Sequence, residues 1–243
     1  MRGSRYYDPL ATLGYVAALT ARIRLVSHVV VLPYSHPVAI AKRFATLDLL
    51  AGGRVVLGVG VGSLEEEFEL LGVDFAGRGP RFEEGLRALR AALGSREPEF
   101  AGEYFRFEGI VMDPAPVQAH VPIWLGGRSR RSLRRALEWG DGWIPFGVDL
   151  AGFDSMMRHA RERGQFAARE ERGESPPEIL AQPEFALELA SVAGVDAATR
   201  ALEGWLAAGA TGLKLRFRAE SVTAFVDALE TFQAKVAPRL PVA

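Results

Sequence analysis

Six times along this chain, a short apolar run is followed by a segment with the apolar periodicity of a helix. This alternation constrains the fold more than any other feature of the sequence. The apolar runs predict strands over residues 23–32, 55–61, 122–125, 142–146, 180–190 and 212–217. Continuous apolar strands separated by amphipathic helices are typical of a parallel sheet covered by helices. The chain is therefore expected to form either a (β/α)8 barrel or a doubly wound sheet.

Helices are predicted around these strands, from Pro37, from Leu64, and over residues 81–93, 129–139, 154–163, 196–208 and 221–236. Two segments break the rhythm. Residues 94–121 place glycines and prolines around two short β-like runs, which we interpret as an inserted hairpin that caps the pocket. Residues 164–177 are charged and end in a Pro-Pro pair, which favours a surface excursion. A length of 243 residues predicts one domain.

Composition narrows the class of partner. Lys plus Arg (29) nearly balances Asp plus Glu (30), without a basic stripe, which argues against a nucleic-acid partner. Charged residues interrupt every long apolar stretch, so no membrane span is predicted. The absence of cysteine excludes thiolate chemistry and fits a reducing cytoplasm. We therefore expect a cytoplasmic protein with a small-molecule substrate.

The second predicted strand ends in an open main chain, because Gly58, Gly60 and Gly62 alternate there with valines. Glycine has no Cβ, so a planar or anionic ligand can approach the backbone. Gly60, Val61, Gly62 and Ser63 therefore form a candidate cofactor-binding loop, with a purely structural turn as the alternative. The spacing also approaches the dinucleotide fingerprint, but Ser63 replaces its third glycine. An NAD(P)-dependent Rossmann oxidoreductase is thus a further alternative.

A second pair of glycines, Gly126 and Gly127, ends the third predicted strand, and Arg128 and Ser129 open the next helix. Amides at a helix N-terminus attract anions, and arginine can bind a phosphate through two hydrogen bonds. Gly126, Gly127 and Arg128 are therefore candidate phosphate-binding residues. A solvated helix start is the alternative.

The last predicted strand carries Lys214 and Arg216, and the preceding strand carries Gln182 and Glu184. Strand alternation sends either the basic pair or its apolar neighbours inward. An inward pair would hold an anionic substrate, whereas an outward pair is surface charge. Lys214 and Gln182 are accordingly candidate substrate-binding residues, and the question stays open at this point.

Other kinds of chemistry lack a motif. There is no hydrolase elbow, no zinc-protease signature and no phosphate-binding loop of the Gly-x-x-x-x-Gly-Lys kind. The four histidines lack the spacing of metal ligands, so no metal site is predicted. A redox role would therefore require a bound organic cofactor.

Several segments, taken in order, resemble the bacterial-luciferase-like family of flavin- and deazaflavin-dependent oxidoreductases. The segments are Asp8-Pro9, residues 20–25, residues 32–37, residues 47–54, Gly58 to Gly62 followed by residues 65–68, Arg78 with residues 81–84, residues 114–118, residues 122–127 and residues 140–143. The resemblance implies a (β/α)8 barrel with coenzyme F-420, or alternatively FMN, at the carboxyl ends of the strands. It also implies an oxidoreductase that uses F-420, or reduced FMN with oxygen as a monooxygenase, on a small organic substrate.

The resemblance further suggests that residues 23–32 correspond to the third strand of this family. About six βα units are then present, and strands one and two are expected to be missing from the front. A non-catalytic, cofactor-binding barrel remnant is therefore an alternative function. Unpaired strand edges also favour self-association, and a homodimer is expected.

The family implies particular site residues. A non-proline cis peptide that presses on the cofactor ring corresponds to His28 and Val29, although His28 could instead be a hydrogen-bonded interior histidine. Gly60 to Ser63 correspond to the cofactor-lining loop, and Gly126 to Arg128 to the phosphate site. If all the arginines of the next helix face the site, the oligoglutamate tail of F-420 is favoured over FMN. The catalytic residues are unknown, because the proton-donating histidine of the family has no matching position.

Overall fold

The structure is a computed structural model that describes residues 7–241. Its strands are β1 (Leu25–Val26), β2 (Val30–Val31), β3 (Val55–Gly60), β4 (Phe100–Ala101), β5 (Arg106–Phe107), β6 (Ile123–Gly127), β7 (Gly142–Pro145), β8 (Glu178–Ala181) and β9 (Gly212–Leu213). Its helices are α1 (Pro9–Leu19), α2 (Pro37–Leu50), α3 (Glu65–Leu70), α4 (Arg78–Gly94), α5 (Arg130–Trp139), α6 (Leu150–Glu162), α7 (Gln165–Glu171), α8 (Val192–Ala207) and α9 (Val222–Thr231). The chain divides into two compact units, residues 1–126 and 127–243.

The sheet of the first unit is parallel and centres on β3. Both β1 and β2 pair with β3, and β3 pairs with β6. All six residues of β3 are buried. The strand predicted over residues 23–32 is therefore present as two short strands along one edge of β3.

Ser27 explains how the chain crosses the gap between β1 and β2. Its hydroxyl donates to the carbonyl oxygen of Gly58 (3.0 Å) and accepts from the amide of the same residue (2.9 Å). The buried side chain thus replaces two hydrogen bonds of the ladder. Because the Ser27 side chain makes these two hydrogen bonds, the backbone of residues 28 and 29 does not need the strand conformation.

Arg54 connects the end of α1 to the sheet through hydrogen bonds. Its guanidinium donates to the carbonyl oxygens of Ala17, Thr20, Ile23 and Ala51, and to the hydroxyl of Thr20. An arginine at this position satisfies carbonyl groups that the end of a helix leaves without partners. A single side chain therefore holds α1, the entry to β1 and the end of α2 together.

Within residues 94–121, β4 pairs antiparallel with β5 as a hairpin. Glu84 of α4 is buried and accepts hydrogen bonds from the amides of Glu103, Tyr104 and Phe105 at 2.7 to 2.9 Å. Burial alone would raise the pKa of Glu84, but these three donors and the charge of Arg87 outweigh it and lower the pKa. The hairpin turn is therefore built around an ionised carboxylate.

We expect Glu84→Gln to destabilise the protein by about 2 kcal/mol at pH 7, because an amide cannot accept all three hydrogen bonds. Since the pKa is lowered by folding, the contribution of the carboxylate is complete above the ordinary glutamate pKa. It disappears as the pH falls through the lowered value. Urea unfolding of both proteins at pH 7 and in acid should show the difference shrinking with acidification. A difference that is constant with pH would contradict this role.

In the second unit, β7 pairs parallel with β8 and β8 with β9. The strands predicted over residues 180–190 and 212–217 are too long, because β8 ends at Ala181 and β9 at Leu213. Pro183 has no amide hydrogen and cannot continue a ladder. Pairing resumes only at the bridge between Leu187 and Phe217.

The surface excursion predicted over residues 164–177 contains the helix α7. Its Arg169 is buried and donates to the carbonyl oxygens of Leu137, Gly140 and Ser175, and it pairs with Glu174 at 3.0 Å. A cation at the C-terminus of α5 is favoured by the helix dipole. Arg169 therefore joins α7 to the end of α5. Across residues 7–241, no helix combines the length and apolar character that a membrane crossing requires.

Candidate functional site

Three residues meet in the first unit: Val29, which lies between β1 and β2, Gly60 at the end of β3, and Gly126 near the end of β6. A Cβ atom placed on Gly60 would lie 2.8 Å from Val29 Cγ2, and one placed on Gly126 would lie 3.0 Å from Val29 Cγ1. The absence of side chains at Gly60 and Gly126 therefore makes room for the two methyl groups of Val29. We call these three residues the ring seat.

The ring seat lies at the carboxyl ends of β3 and β6, and Val29 directly precedes β2. Val31 of β2 pairs with Gly60, and Leu125 of β6 pairs with Val59. Parallel strands end at the same edge of a sheet, and barrel enzymes bind their ligands at this edge. The peptide bond between His28 and Val29 is cis, as the resemblance implied. Whether His28 and Val29 bind a cofactor stays a prediction.

The loop after β3 is held by aromatic packing. Gly62 has a φ of +81°, and a Cβ there would lie 2.6 Å from the Phe68 ring. The Phe68 ring in turn packs against Tyr34 at 4.8 Å and Phe75 at 5.2 Å. A glycine is therefore required at position 62 for packing and conformation, whatever the loop binds. Val61 is partly buried and Ser63 is exposed in the same loop.

Tyr34, in the turn after β2, makes a hydrogen bond to α3. Its hydroxyl donates to Glu67 Oε2 at 2.7 Å. Burial, followed by the hydrogen bond and charge of Glu67, raises the pKa of Tyr34. The phenol therefore stays protonated and joins the turn after β2 to α3.

Gly127 has a structural role of its own. A Cβ on Gly127 would lie 2.4 Å from Cβ of Ser132. Ser129 and Ser132 form a reciprocal capping box at the start of α5. This box occupies the amides of Ser129 and Ser132, so a phosphate could use only the neighbouring amides of that turn.

Arg128 lines an open cavity of about 570 Å³ in the second unit, together with Arg130, Asp149 and Glu184. Its guanidinium lies 5.8 Å from the Phe146 ring. The other arginines of α5 do not line this cavity; Arg131 and Arg134 are exposed and Arg135 is buried. The arrangement in which every arginine of α5 faces one site is therefore not observed. Two cations and two carboxylates face each other around the cavity.

Lys214 and Gln182 contact each other although 32 positions separate them in the chain. Lys214 Nζ donates to Gln182 Oε1 at 3.3 Å, and both side chains are partly buried. Burial, followed by the charge of Arg216, lowers the pKa of Lys214. Arg216 is exposed and donates to the main-chain oxygen of Glu184. The two basic residues thus have different surroundings: the Lys214 side chain is partly buried, and the Arg216 side chain is exposed.

The sequence predicted no binding role for Arg78 and Arg81. The structure makes both residues candidates for binding an oxyanion. The Nε atoms of both residues are buried and have no acceptor within residues 7–241. Arg81 lines a cavity of about 140 Å³ with Tyr104 and residues 72–74, and its guanidinium lies 4.7 Å from the Phe105 ring. A buried guanidinium N–H without an acceptor costs about 1–3 kcal/mol. An oxyanion in this cavity would supply the acceptor.

The charge of Arg81 also affects the pKa of His36. Burial, followed by the charge of Arg81, lowers the pKa of His36. Its Nδ1 accepts from the amide of Val38 at the start of α2, and its ring packs against Phe105 at 5.4 Å. His36 is thus a neutral helix cap beside the Arg81 cation.

The profile of the luciferase-like monooxygenase family matches residues 1–231 of this chain. The protein therefore belongs to the luciferase-like monooxygenase family. Its fold is the luciferase-like α/β fold of the TIM-barrel type. The doubly wound sheet, and with it the Rossmann alternative, does not describe this chain.

Curated relatives from mycobacteria are similar over part of their length. A protein of unassigned function from Mycobacterium tuberculosis is 34% identical over 177 residues, which is 73% of this chain and 59% of that protein. A phthiodiolone/phenolphthiodiolone dimycocerosates ketoreductase from Mycobacterium bovis is 36% identical over 146 residues, covering 58% of this chain and 38% of that enzyme. The matched part of the chain thus spans less than two thirds of the length of these relatives.

Solved structures share the fold at low identity. An F-420-dependent secondary alcohol dehydrogenase, in complex with an F-420–acetone adduct, has a TM-score of 0.80 at 16% identity and covers 99% of this chain and 86% of its own. The oxygenating constituent of 3,6-diketocamphane monooxygenase from Pseudomonas putida, in complex with FMN, has a TM-score of 0.77 at 16% identity, with 97% and 85% covered. These likenesses establish the fold; one of the two proteins is named F-420-dependent, and the other was solved in complex with FMN.

Proposed function

We propose that this protein binds coenzyme F-420 and catalyses hydride transfer between that cofactor and a small carbonyl or alcohol substrate. The observation that carries the proposal is the ring seat, in which Val29 packs against Gly60 and Gly126 at the carboxyl ends of β3 and β6. A planar tricyclic ring would lie against Val29, whose place between the two strand ends requires that neither glycine carry a Cβ. F-420, when bound, supplies or accepts a hydride. The residues of the ring seat orient it.

The anionic part of the cofactor has two candidate positions. Gly126 belongs to the ring seat, and Gly127 and Arg128 follow it directly in the chain. In the first unit itself, Arg81 has a buried Nε atom without an acceptor among the described residues, and it lines a cavity of about 140 Å³ together with Asp74 and Tyr104. Guanidinium groups bind phosphate and carboxylate with strong, charge-assisted hydrogen bonds.

The substrate class rests on the relatives and on Lys214. One curated relative is named a ketoreductase, and one structural neighbour is a secondary alcohol dehydrogenase. Lys214 and Gln182 together offer an ammonium and an amide that could hold the polar end of such a substrate. FMN with oxygen, as in the diketocamphane monooxygenase, is the second candidate, because the family description is that of a monooxygenase.

Fluorescence titration tests the proposal, because Trp124 lies two positions before Gly126 on the same face of β6. Alternate residues of a strand are about 7 Å apart, and Trp124 is buried. F-420 bound at the ring seat should quench Trp124 emission, and Trp124→Phe should remove most of the quenching. The titration is repeated with FMN and with NADPH. If F-420 binds but is neither reduced by 2-propanol nor, in its reduced form, oxidised by cyclohexanone, the non-catalytic alternative is favoured. If neither F-420 nor FMN binds, the proposal is refuted.

Two arginine variants separate the candidate phosphate positions. If the phosphate lies against Arg81, Arg81→Gln should weaken F-420 binding about tenfold or more, and Arg128→Gln should leave it within about threefold. The reverse order would assign the phosphate to Arg128. Equal affinities in both variants and the wild type would exclude both positions.

We also propose a homodimer that acts in the cytoplasm, in line with the absence of cysteine from the sequence. Helix α9 supports self-association, because Val222, Phe225, Val226 and Leu229 are exposed on it. Light scattering behind a sizing column distinguishes the dimer from the monomer. A mass of one chain at micromolar concentration would contradict this part of the proposal.

A further inference from the structure

The first turn of α4 carries two arginines with unused hydrogen-bond donors. Arg78 and Arg81 are three positions apart, so they lie on the same face of the helix. Arg78 lies over the Phe75 ring at 3.5 Å and donates through Nη1 to the main-chain oxygen of Phe75 at 2.6 Å. The Nε atoms of both arginines are buried and have no acceptor within residues 7–241. Two buried N–H groups on one helix face therefore lack a partner in the described part of the chain.

The carboxylates near Arg81 are occupied by main-chain amides. Asp74 accepts from the amides of Ala76 at 3.0 Å and Gly77 at 2.7 Å, one on each of its oxygens. Glu84, one turn after Arg81, accepts the three amides of the hairpin. Within residues 7–241, neither carboxylate makes an ion pair with Arg81. The acids beside Arg81 thus stabilise the local backbone and leave its guanidinium without a counterion.

The cavity beside Arg81 has the size of one small anion. Its volume is about 140 Å³, and Asp74, Gly77 and Tyr104 are among its lining residues. Pockets that hold a drug-sized molecule measure roughly 300–1,000 Å³, so this cavity does not admit a tricyclic ring. A single phosphate group is small enough, and a guanidinium can donate to two of its oxygens at once.

We propose that Arg81, with Arg78 beside it, forms a binding site for one small oxyanion, of which inorganic phosphate is the simplest example. The anion supplies the acceptor that the buried Arg81 Nε lacks, and its charge balances the guanidinium. The oxyanion can be free in solution or belong to the phosphate of a longer molecule such as F-420. The site itself does not depend on the proposed function, because the contacts that carry it are separate from those of the ring seat.

His36 should report whether the site is occupied. Its ring packs against Phe105 at 5.4 Å, and the Arg81 guanidinium lies 4.7 Å from the same phenylalanine ring. Burial, followed by the charge of Arg81, lowers the pKa of His36. An anion bound to Arg81 offsets that charge, so the pKa of His36 should rise when the site fills. This readout requires neither cofactor nor turnover.

The experiment is a calorimetric titration of the cofactor-free protein with inorganic phosphate, with chloride used to keep the ionic strength constant. The wild type should bind one phosphate saturably. Arg81→Gln should weaken phosphate binding about tenfold or more. Arg43→Gln is the matched control, because it removes an exposed cation from α2, and it should keep the affinity within about twofold.

Proton NMR follows His36 in the same samples. Saturating phosphate should raise the pKa of His36 in the wild type and leave it unchanged in Arg81→Gln. His36→Asn assigns the imidazole resonances, since asparagine also caps a helix. A wild type without saturable phosphate binding overturns the proposal, as does equal phosphate affinity in Arg81→Gln and the wild type.

A second variant keeps the test decisive if circular dichroism shows that Arg81→Gln is unfolded. Arg81→Lys keeps the charge but loses the forked donor, so it should bind phosphate at least about threefold more weakly, and equal affinity would overturn the proposal. F-420 separates the two sources of the oxyanion. Displacement of phosphate by F-420 assigns the site to the phosphate of the cofactor, whereas simultaneous binding assigns it to a free oxyanion. Failure of F-420 to bind refutes the proposed function and leaves this site in place.

Discussion

Gly126→Ala is expected to weaken the binding of F-420 by about tenfold to a hundredfold, equivalent to about 1.4–2.8 kcal/mol. The added methyl group would lie 3.0 Å from Val29 Cγ1 and 3.5 Å from the main-chain oxygen of Val59. The fold can accommodate it with a shift of a few tenths of an ångström. This shift moves Val29, against which the cofactor ring would rest, so the ring should lose part of its contact. Fluorescence or calorimetric titration measures the effect.

Gly14→Ala is the matched control for this substitution. Gly14 lies within α1, and a Cβ there would meet no atom within 4 Å. Alanine in a helix interior should stabilise the protein by about 0.5–1 kcal/mol and leave F-420 affinity unchanged. Equal affinities of the Gly126→Ala variant and the wild type would show that Gly126 is open for packing reasons alone.

Arg169→Ala should lower the free energy of unfolding by about 3–5 kcal/mol. The substitution removes a buried guanidinium from the carbonyl oxygens of Leu137, Gly140 and Ser175, and from the carboxylate of Glu174. Carbonyl groups at the end of α5 then lose their partners, and Glu174 loses a counterion. Urea unfolding monitored by circular dichroism measures the difference.

Arg158→Ala provides the comparison for a surface ion pair. Arg158 pairs with Asp154 at 3.0 Å within α6, and its side chain is 63% exposed. Such pairs contribute little, so the free energy of unfolding should change by no more than about 0.5 kcal/mol. A similar loss in both variants would mean that the contacts of Arg169 do not anchor α7.

The sequence predicted the fold well because its apolar runs are nearly continuous. The strand over residues 55–61 and the helix from Pro37 are present almost as predicted. The errors lie where a local contact overrides the pattern. Ser27 interrupts one predicted strand by replacing its ladder bonds, Pro183 shortens another, and Arg169 stabilises a helix in a charged segment. None of these contacts has a periodic signal.

The candidate site was predicted in part. Gly60 and Gly126 could be proposed from sequence, because glycines at the ends of apolar strands are a local signal. Their common contact with Val29 could not, since it depends on the register of three strands. Arg81 was recognised only as part of a family motif, because the cavity beside it is formed by residues from separate loops.

Isotope-edited NMR on the complex with F-420 tests the central claim most directly. With valine methyl groups labelled, the account predicts nuclear Overhauser contacts between both methyl groups of Val29 and the aromatic ring protons of the bound cofactor. Gly126→Ala should weaken these contacts together with the affinity. Tight binding of F-420 without any contact to Val29 would place the ring elsewhere and contradict the account.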